Sequence, residues 1–362
     1  MSSLPDRVQL RERIEAKAHA LGFALVGVAR ATASSRTATL VQWLADGKHG
    51  EMKWMSEGAE LRGDVRLLVK NARSVIAVAD RYHDGKPDRV VEGEARGRIA
   101  RYARGKDYHD IIRDRLRTLG RYIRELSPGC QTRLTGDIHP ILEREQAARA
   151  LLGAIGKHTL LIRPSLGSYF LLGEIVTDAD IAASDEAPSA RVEDDLCGSC
   201  TRCIDACPTH AITPYSVDAT RCTAYLTIEH QGPIDAEFFG KTGDWWFGCD
   251  ICQEVCPHSQ FTRASHRSGA NPKLAPRLDS VDLFEVLGWT EADRARLVVS
   301  SAIKRATLAM MKRNALLALA SAVKGDAHLA SRLRARCTTI VAAHDEEPSV
   351  QLAAATVLAQ LS

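Results

Sequence analysis

The sequence reads as an α+β multidomain protein in three parts, on three observations. Short β-branched runs alternate with amphipathic helices over residues 1–180, eight cysteines fall between Cys197 and Pro257, and the pattern after Pro276 is helical only. With 362 residues, 45% of them hydrophobic and 26% charged, the chain is long enough for more than one core. Its composition is that of a globular protein, neither fibrous nor disordered.

In the first part, Val8–Leu21 reads as an amphipathic helix and Phe23–Val28 as a buried strand after Gly22. Val41–Met55 reads as a second helix and Ser74–Ala79 as a second strand, with Arg62 in the polar link between them. From Asp107 onward Ile111, Ile112, Leu116, Leu119 and Ile123 make a core stripe, leaving many arginines on the opposite face. The stretch Tyr102–His109 is less neutral: Gly105 admits close approach of a ligand, and Tyr102, Tyr108 and His109 offer flat faces and donors. Arg133–Arg144 should pass from strand to helix with Asp137 at the junction, where aspartate suits a helix N-cap or a proton donor. Glu143 and Arg144 read as an ion pair. Gly156-Lys157 lacks the rest of a phosphate loop, so a P-loop is excluded, although Lys157 can still meet a phosphate or amide of a large cofactor. No Gly-x-Gly-x-x-Gly fingerprint supports a nicotinamide cofactor. Gly167–Val176 reads as a further strand.

An acidic link, Thr177–Asp195, separates a first domain (1–180) from a cysteine module (181–265). Cys197-x2-Cys200-x2-Cys203-x3-Cys207-Pro208 matches the ligand run of two-cluster ferredoxins, in which the fourth cysteine serves the other cluster. That rule assigns Cys197, Cys200, Cys203 and Cys256 to one [4Fe-4S] cluster and Cys207, Cys222, Cys249 and Cys252 to a second. Cys222 stands far upstream of Cys249 and must be brought back by a loop. Disulfides are disfavoured, because Met1–Ala16 is charged without an apolar signal core and no stretch approaches the ~20 apolar residues of a membrane span. A cytoplasmic chain with free thiols and no membrane is expected. Zinc would want paired cysteines at finger spacing. Trp245, Trp246 and Phe247 place apolar cover beside Cys249; Cys130 and Cys337 read as small hydrophobes.

The last part, residues 276–362, holds an amphipathic helix Ile303–Val323, with Lys304, Arg305, Lys312 and Arg313 away from its apolar side, and a shorter helix Val350–Leu361. Paired helices suggest α-solenoid repeats. Ser300–Arg336 carries eight Lys or Arg against Asp326 alone, which suits either a nucleic-acid backbone or a solubilising surface.

Iron–sulfur clusters pass single electrons and define no substrate, and the N-terminal part is too large to be mere scaffolding, so a second redox cofactor is expected there. Across nearly the whole chain, Gly47-Lys-His-Gly-Glu-Met52, Arg101-Tyr-Ala-Arg-Gly-Lys-Asp-Tyr-His109, Asp137 with Pro140-Ile-Leu-Glu-Arg144, Ile155-Gly-Lys157, Gly167-Ser168, both cysteine runs, Ala302-Ile-Lys-Arg305 and Lys312-Arg-Asn-Ala315 resemble the epoxyqueuosine reductase family. The resemblance implies an α/β cobalamin-binding domain related to reductive dehalogenases, a ferredoxin-like double-cluster module, and C-terminal HEAT-like repeats that hold tRNA. It implies that Asp137 is the acid near cobalt, and that Arg62, Tyr108, Asp137, His139, Lys157, Ser168, Ala224 and Asp250 contact cobalamin. The expected tRNA contacts are Lys304, Arg305, Lys312 and Arg313. The implied reaction is reduction of epoxyqueuosine to queuosine at the wobble position by low-valent cobalamin, fed through both clusters by an external donor such as a flavodoxin or ferredoxin, in a monomer. Ile138, His139 and Ala154 depart from the family pattern. The alternatives are a reductive dehalogenase-like enzyme on a small molecule, which the basic C-terminal part argues against, and a ferredoxin-type electron carrier.

Overall fold

The structure, a computed structural model, describes residues 5–86, 88, 95–186, 195–260 and 270–361. Residues 187–194 of the acidic link and 261–265 of the expected cysteine module lie outside the described residues. The N-terminal part is built on four strands, β1 (Leu25–Arg30), β2 (Ser74–Arg81), β3 (Thr132–Thr135) and β4 (Phe170–Thr177), in the order β1-β2-β4-β3. Every pairing is antiparallel, with Ile76 opposite both Val28 and Ile175. Helix–strand alternation in the sequence sets the order of the elements and leaves strand direction open; the structure makes the sheet antiparallel within a mixed α/β domain.

Side chains of β2 alternate between two cores. Ile76 and Val78 pack with Leu10 and Ile14 of α1 (Arg7–Ala20) and with Ile112, Leu116, Leu119 and Ile123 of α2 (Tyr108–Leu126). Val75, Ala77 and Ala79 point the other way, toward Ala147 of α3 (Glu143–Arg149), Ala150 and Leu152. The sheet is therefore covered on both faces, and all of β2 is buried. Such packing, at about 1.5–3 kcal/mol for each large apolar side chain, gives α2 and the β3–α3 loop a rigid base.

The single helix expected over Val41–Met55 is broken. Helix Thr37–Ala45 stops before Gly47 and Gly50, whose φ angles of 69° and 55° are ones that glycine adopts without steric cost. The turn brings the Glu51 N–H to the Tyr225 hydroxyl at 2.7 Å.

A second sheet ties the three parts together. Arg96–Ile99 pairs in parallel with Trp245–Phe247 and antiparallel with Ser280–Asp282. One apolar core then continues from Ile99 through Trp246 and Phe247 into α4 (Leu308–Ala322), α5 (Ala327–Ala342) and α6 (Pro348–Leu361). The indole of Trp246 donates to the Met311 carbonyl at 2.9 Å. Helix α4 starts later than expected, because Thr307 caps it by accepting from Met310 N and Ala302–Arg305 forms a separate 3-10 turn. Among the described residues no helix is long and apolar enough to cross a membrane.

Candidate active site

Asp137 lies on the loop between β3 and α3. It is not a helix cap: the residue preceding α3 is Leu142, which makes no side-chain cap bond. Its Oδ2 accepts a hydrogen bond from the Tyr108 hydroxyl and stands 3.3 Å from His109 Nε2. Tyr108 and His109 open α2, with rings stacked at 4.1 Å. Asp107 caps that helix by accepting from His109 N at 3.1 Å and holds His109 Nδ1 at 2.6 Å. Lys304 Nζ meets the other oxygen of Asp107 at 2.5 Å. The result is a line of alternating charge, Lys304–Asp107–His109–Asp137.

The electrostatics follow from these contacts. Burial pulls His109 down, but the hydrogen bonds to Asp107 and Asp137 outweigh it and lift its pKa to about 9. Burial pushes the Asp137 carboxyl up, yet the hydrogen bond and charge of His109, with the Tyr108 hydroxyl, hold it below the usual carboxylate range. Burial, then the Asp137 charge, keeps Tyr108 protonated. At neutral pH the site is an imidazolium between two carboxylates. Behind Asp137, Glu174 of β4 is fully buried and accepts from the Thr135 hydroxyl at 3.2 Å; burial raises its pKa and pushes Glu143 up to about 7. The expected Glu143–Arg144 pair is not formed, since Arg144 donates to the Thr159 carbonyl at 2.9 Å.

The cysteines gather in two places. Cys197, Cys200, Cys203 and Cys256 line one cavity of about 220 Å³, together with His158 and His258. Cys207, Cys222 and Cys252 pack together, and Cys249 lies within electrostatic reach of Cys222 and Cys252. Cys252 also feels Cys203, so the two sets are neighbours. Backbone N–H groups of Lys157 and Ala211 donate to the sulfurs of Cys197 and Cys207, both at 3.3 Å. Burial pushes the thiols of Cys222, Cys249 and Cys252 up. Thiolates there need a positive group among them, and this donor set fits iron.

Asp250, beside Cys249, accepts from the Arg101 backbone N–H at 2.8 Å and from the Gln253 amide at 3.0 Å. Tyr102 lies between, feeling both Asp250 and Asp137 and touching the rings of Tyr108 and Phe247. Ser168 donates to Gln253, and Lys157 Nζ donates to the carbonyls of Gly198 and Cys200 at 2.6 and 3.1 Å. These three expected cofactor contacts are engaged with the cysteine segment. Arg62 is buried and donates to the Trp54 carbonyl; a Cβ on Gly58 would meet both Arg62 and Pro140, so Arg62 backs the Asp137 loop. His139 is partly buried, its N–H bonded to the Gly136 carbonyl and its Nδ1 without a partner. Ala224 sits on the short helix Thr223–Ile228 that follows Cys222.

The basic residues divide. Lys304 and Arg305 stand at the site mouth, Arg305 paired with Glu229 at 2.7 Å and stacked over Trp54. Arg313 is a correction: it is fully buried and donates to the carbonyls of Leu226 and Gly232. Lys312 is mostly covered and pairs with Glu346 at 2.8 Å, so it too lies off the exposed face. Formal charge looks alike in a sequence whether a side chain faces water or carbonyl oxygens. Conversely, the sequence gives no sign that Asp107 meets Lys304, 197 residues away, although His109 stands in the same short motif as Tyr108.

Two adjoining thiol sets, linked through Asp250 and Tyr102 to an ionised imidazole–carboxylate pair, define an iron–sulfur oxidoreductase with a proton-handling site. Residues 62–137 match the family model described as "Epoxyqueuosine reductase QueG, DUF1730", and residues 196–259 match a 4Fe-4S double cluster binding domain. The epoxyqueuosine reductase of Alicycliphilus denitrificans is 38% identical, over 97% of this chain and 98% of that one; that of Cellulophaga algicola is 37% identical, over 83% and 95%. A crystal structure of epoxyqueuosine reductase with a tRNA-Tyr epoxyqueuosine-modified stem loop superposes with TM-score 0.80 at 27% identity, covering 98% of this chain and 90% of that one. The Bacillus subtilis enzyme with its catalytic aspartate loop swung out of the active site superposes equally well, at TM-score 0.80 and 27% identity over 98% and 91%. The chain belongs to the epoxyqueuosine reductase family.

Proposed function

We infer that this chain reduces epoxyqueuosine to queuosine in tRNA, with Asp137 and His109 handling the proton. The observation that carries the reading is the Asp137–His109 pair, linked through Tyr102 to Asp250 next to Cys249, in a chain of this family. Converting the epoxide to an alkene takes two electrons and two protons and releases water. An oxygen leaves poorly as an anion, so a positioned proton contributes about 10²–10⁴-fold. His109 keeps a proton on Nε2 toward Asp137, and Asp137, about two-fifths exposed, can carry it to a substrate oxygen.

Cobalamin, when bound, supplies the low-potential electrons at the carbon–oxygen bond. The surface suits a large flat group: Ile138, next to Asp137, is 69% exposed, and Trp54 is 40% exposed. Tyr108, His139 and Ala224 would hold it, while Lys157, Ser168 and Asp250 position the cysteine segment behind. Cys197, Cys200, Cys203 and Cys256 would hold the cluster that an external flavodoxin or ferredoxin reduces. Cys207, Cys222, Cys249 and Cys252 would hold the one nearer Asp137. The tRNA phosphates would meet Lys304 and Arg305, and α4–α6 would form a HEAT-like unit behind them, in a cytoplasmic monomer.

The test is direct. Reductively loaded protein is incubated with tRNA carrying epoxyqueuosine, and the nucleosides are separated and weighed by mass. Conversion to queuosine is expected; unchanged epoxyqueuosine overturns the reading.

A further inference from the structure

The contact between Lys304 and Asp107 joins an outer surface to an inner one. The Lys304 side chain is 58% exposed, whereas that of Asp107 is 2% exposed. Asp107 in turn holds His109 at 2.6 Å, and His109 faces Asp137 at 3.3 Å. An exposed ammonium on a buried carboxylate is a contact for which a phosphate in solution competes, because both anions make charge-assisted bonds of similar strength. If the ammonium leaves, the carboxylate does not, since it also caps α2 through His109 N.

We propose that Lys304 couples RNA binding to the proton of the His109–Asp137 pair: a backbone phosphate that draws the ammonium off Asp107 leaves that carboxylate's full charge on His109, which then holds its proton more firmly. The groups that set this charge come from every side. Asp107 and Tyr108 adjoin His109 on its own element, Asp137 faces it from the β3–α3 loop, and Lys304 acts from the 3-10 turn before α4. Glu143 and Glu174 lie behind Asp137, and burial favours the neutral form of each. Coupling of this kind is reciprocal, so RNA binds more weakly once His109 loses its proton. The proposal rests on the RNA reading above.

It is tested by calorimetry on the cluster-loaded full chain. An unmodified anticodon stem-loop RNA is titrated in at pH 9, in two buffers of different ionisation enthalpy. The expected result is net proton uptake on binding. Uptake is lost in both His109→Gln and Lys304→Met and restored in Lys304→Arg, and the salt slope of RNA affinity falls by about one in Lys304→Met. Binding without uptake in the unaltered chain, or the same uptake in Lys304→Met, overturns the coupling and leaves the RNA reading standing. Absence of any RNA binding overturns both.

Discussion

At Asp137 burial and hydrogen bonding pull in opposite directions, and the hydrogen bonds win because their donor, His109, is itself charged. Asp137→Asn keeps the shape and removes the charge, so His109 loses one of its two anionic partners. Turnover should fall by about 10²–10⁴-fold with iron content unchanged; full turnover would remove the residue from the mechanism. His109 also makes a stability statement. Its pKa is raised from 6.5 to about 9, so its contribution is fully present below about pH 6.5 and is lost as pH rises through about 9. Asp137 is lowered, so its contribution holds above the ordinary carboxylate range and is lost as pH falls. Denaturation midpoints should therefore drop between pH 7 and 9.5 in the unaltered chain and change less in His109→Gln. At this scale the cysteines were the most legible residues, because spacing within a run is local chemistry. Asp107 and Lys304 were not, because nothing local announces a partner so far along the chain.

Among the elements, strands and long helices followed their apolar periodicity, and the misreadings came where a backbone turn or a buried charge intervened. The break at Gly47 and Gly50 was invisible to periodicity, since Trp54 and Met55 continue the apolar pattern past it. Gly50 holds φ at 55°, and an added Cβ would lie 2.3 Å from the Tyr225 hydroxyl. Gly50→Ala should cost about 1–2 kcal/mol from backbone strain alone, read as a lower denaturant midpoint. On α4, Arg313 serves carbonyls and not solvent. Arg313→Met would leave those acceptors unsatisfied, at about 1–3 kcal/mol, while the RNA affinity of the folded protein stays the same. A lowered RNA affinity without lost stability would return Arg313 to the RNA-facing surface.

For the whole molecule, composition suggests three parts along the chain, and it carries no sign of the core through Ile99, Trp246 and Met311 that all three share. Each part contributes side chains whose burial only the others complete. The cysteine sets are likewise a long-range arrangement with a sharp test. With Cys200→Ala and Cys256→Ala combined, the chain should keep about half of its iron; loss of all of it would move Cys256 to the other set. The strand Arg96–Ile99 carries a further consequence, for the birth of the chain. During synthesis this strand leaves the ribosome with neither neighbour, because Trp245–Phe247 and Ser280–Asp282 are still to be made. At about 5–20 residues per second, it waits on the order of ten seconds or more with its edges open. Growing chains are thus exposed to strand-to-strand sticking until both Trp245–Phe247 and Ser280–Asp282 arrive, so the yield of folded protein should depend on how soon these later strands follow.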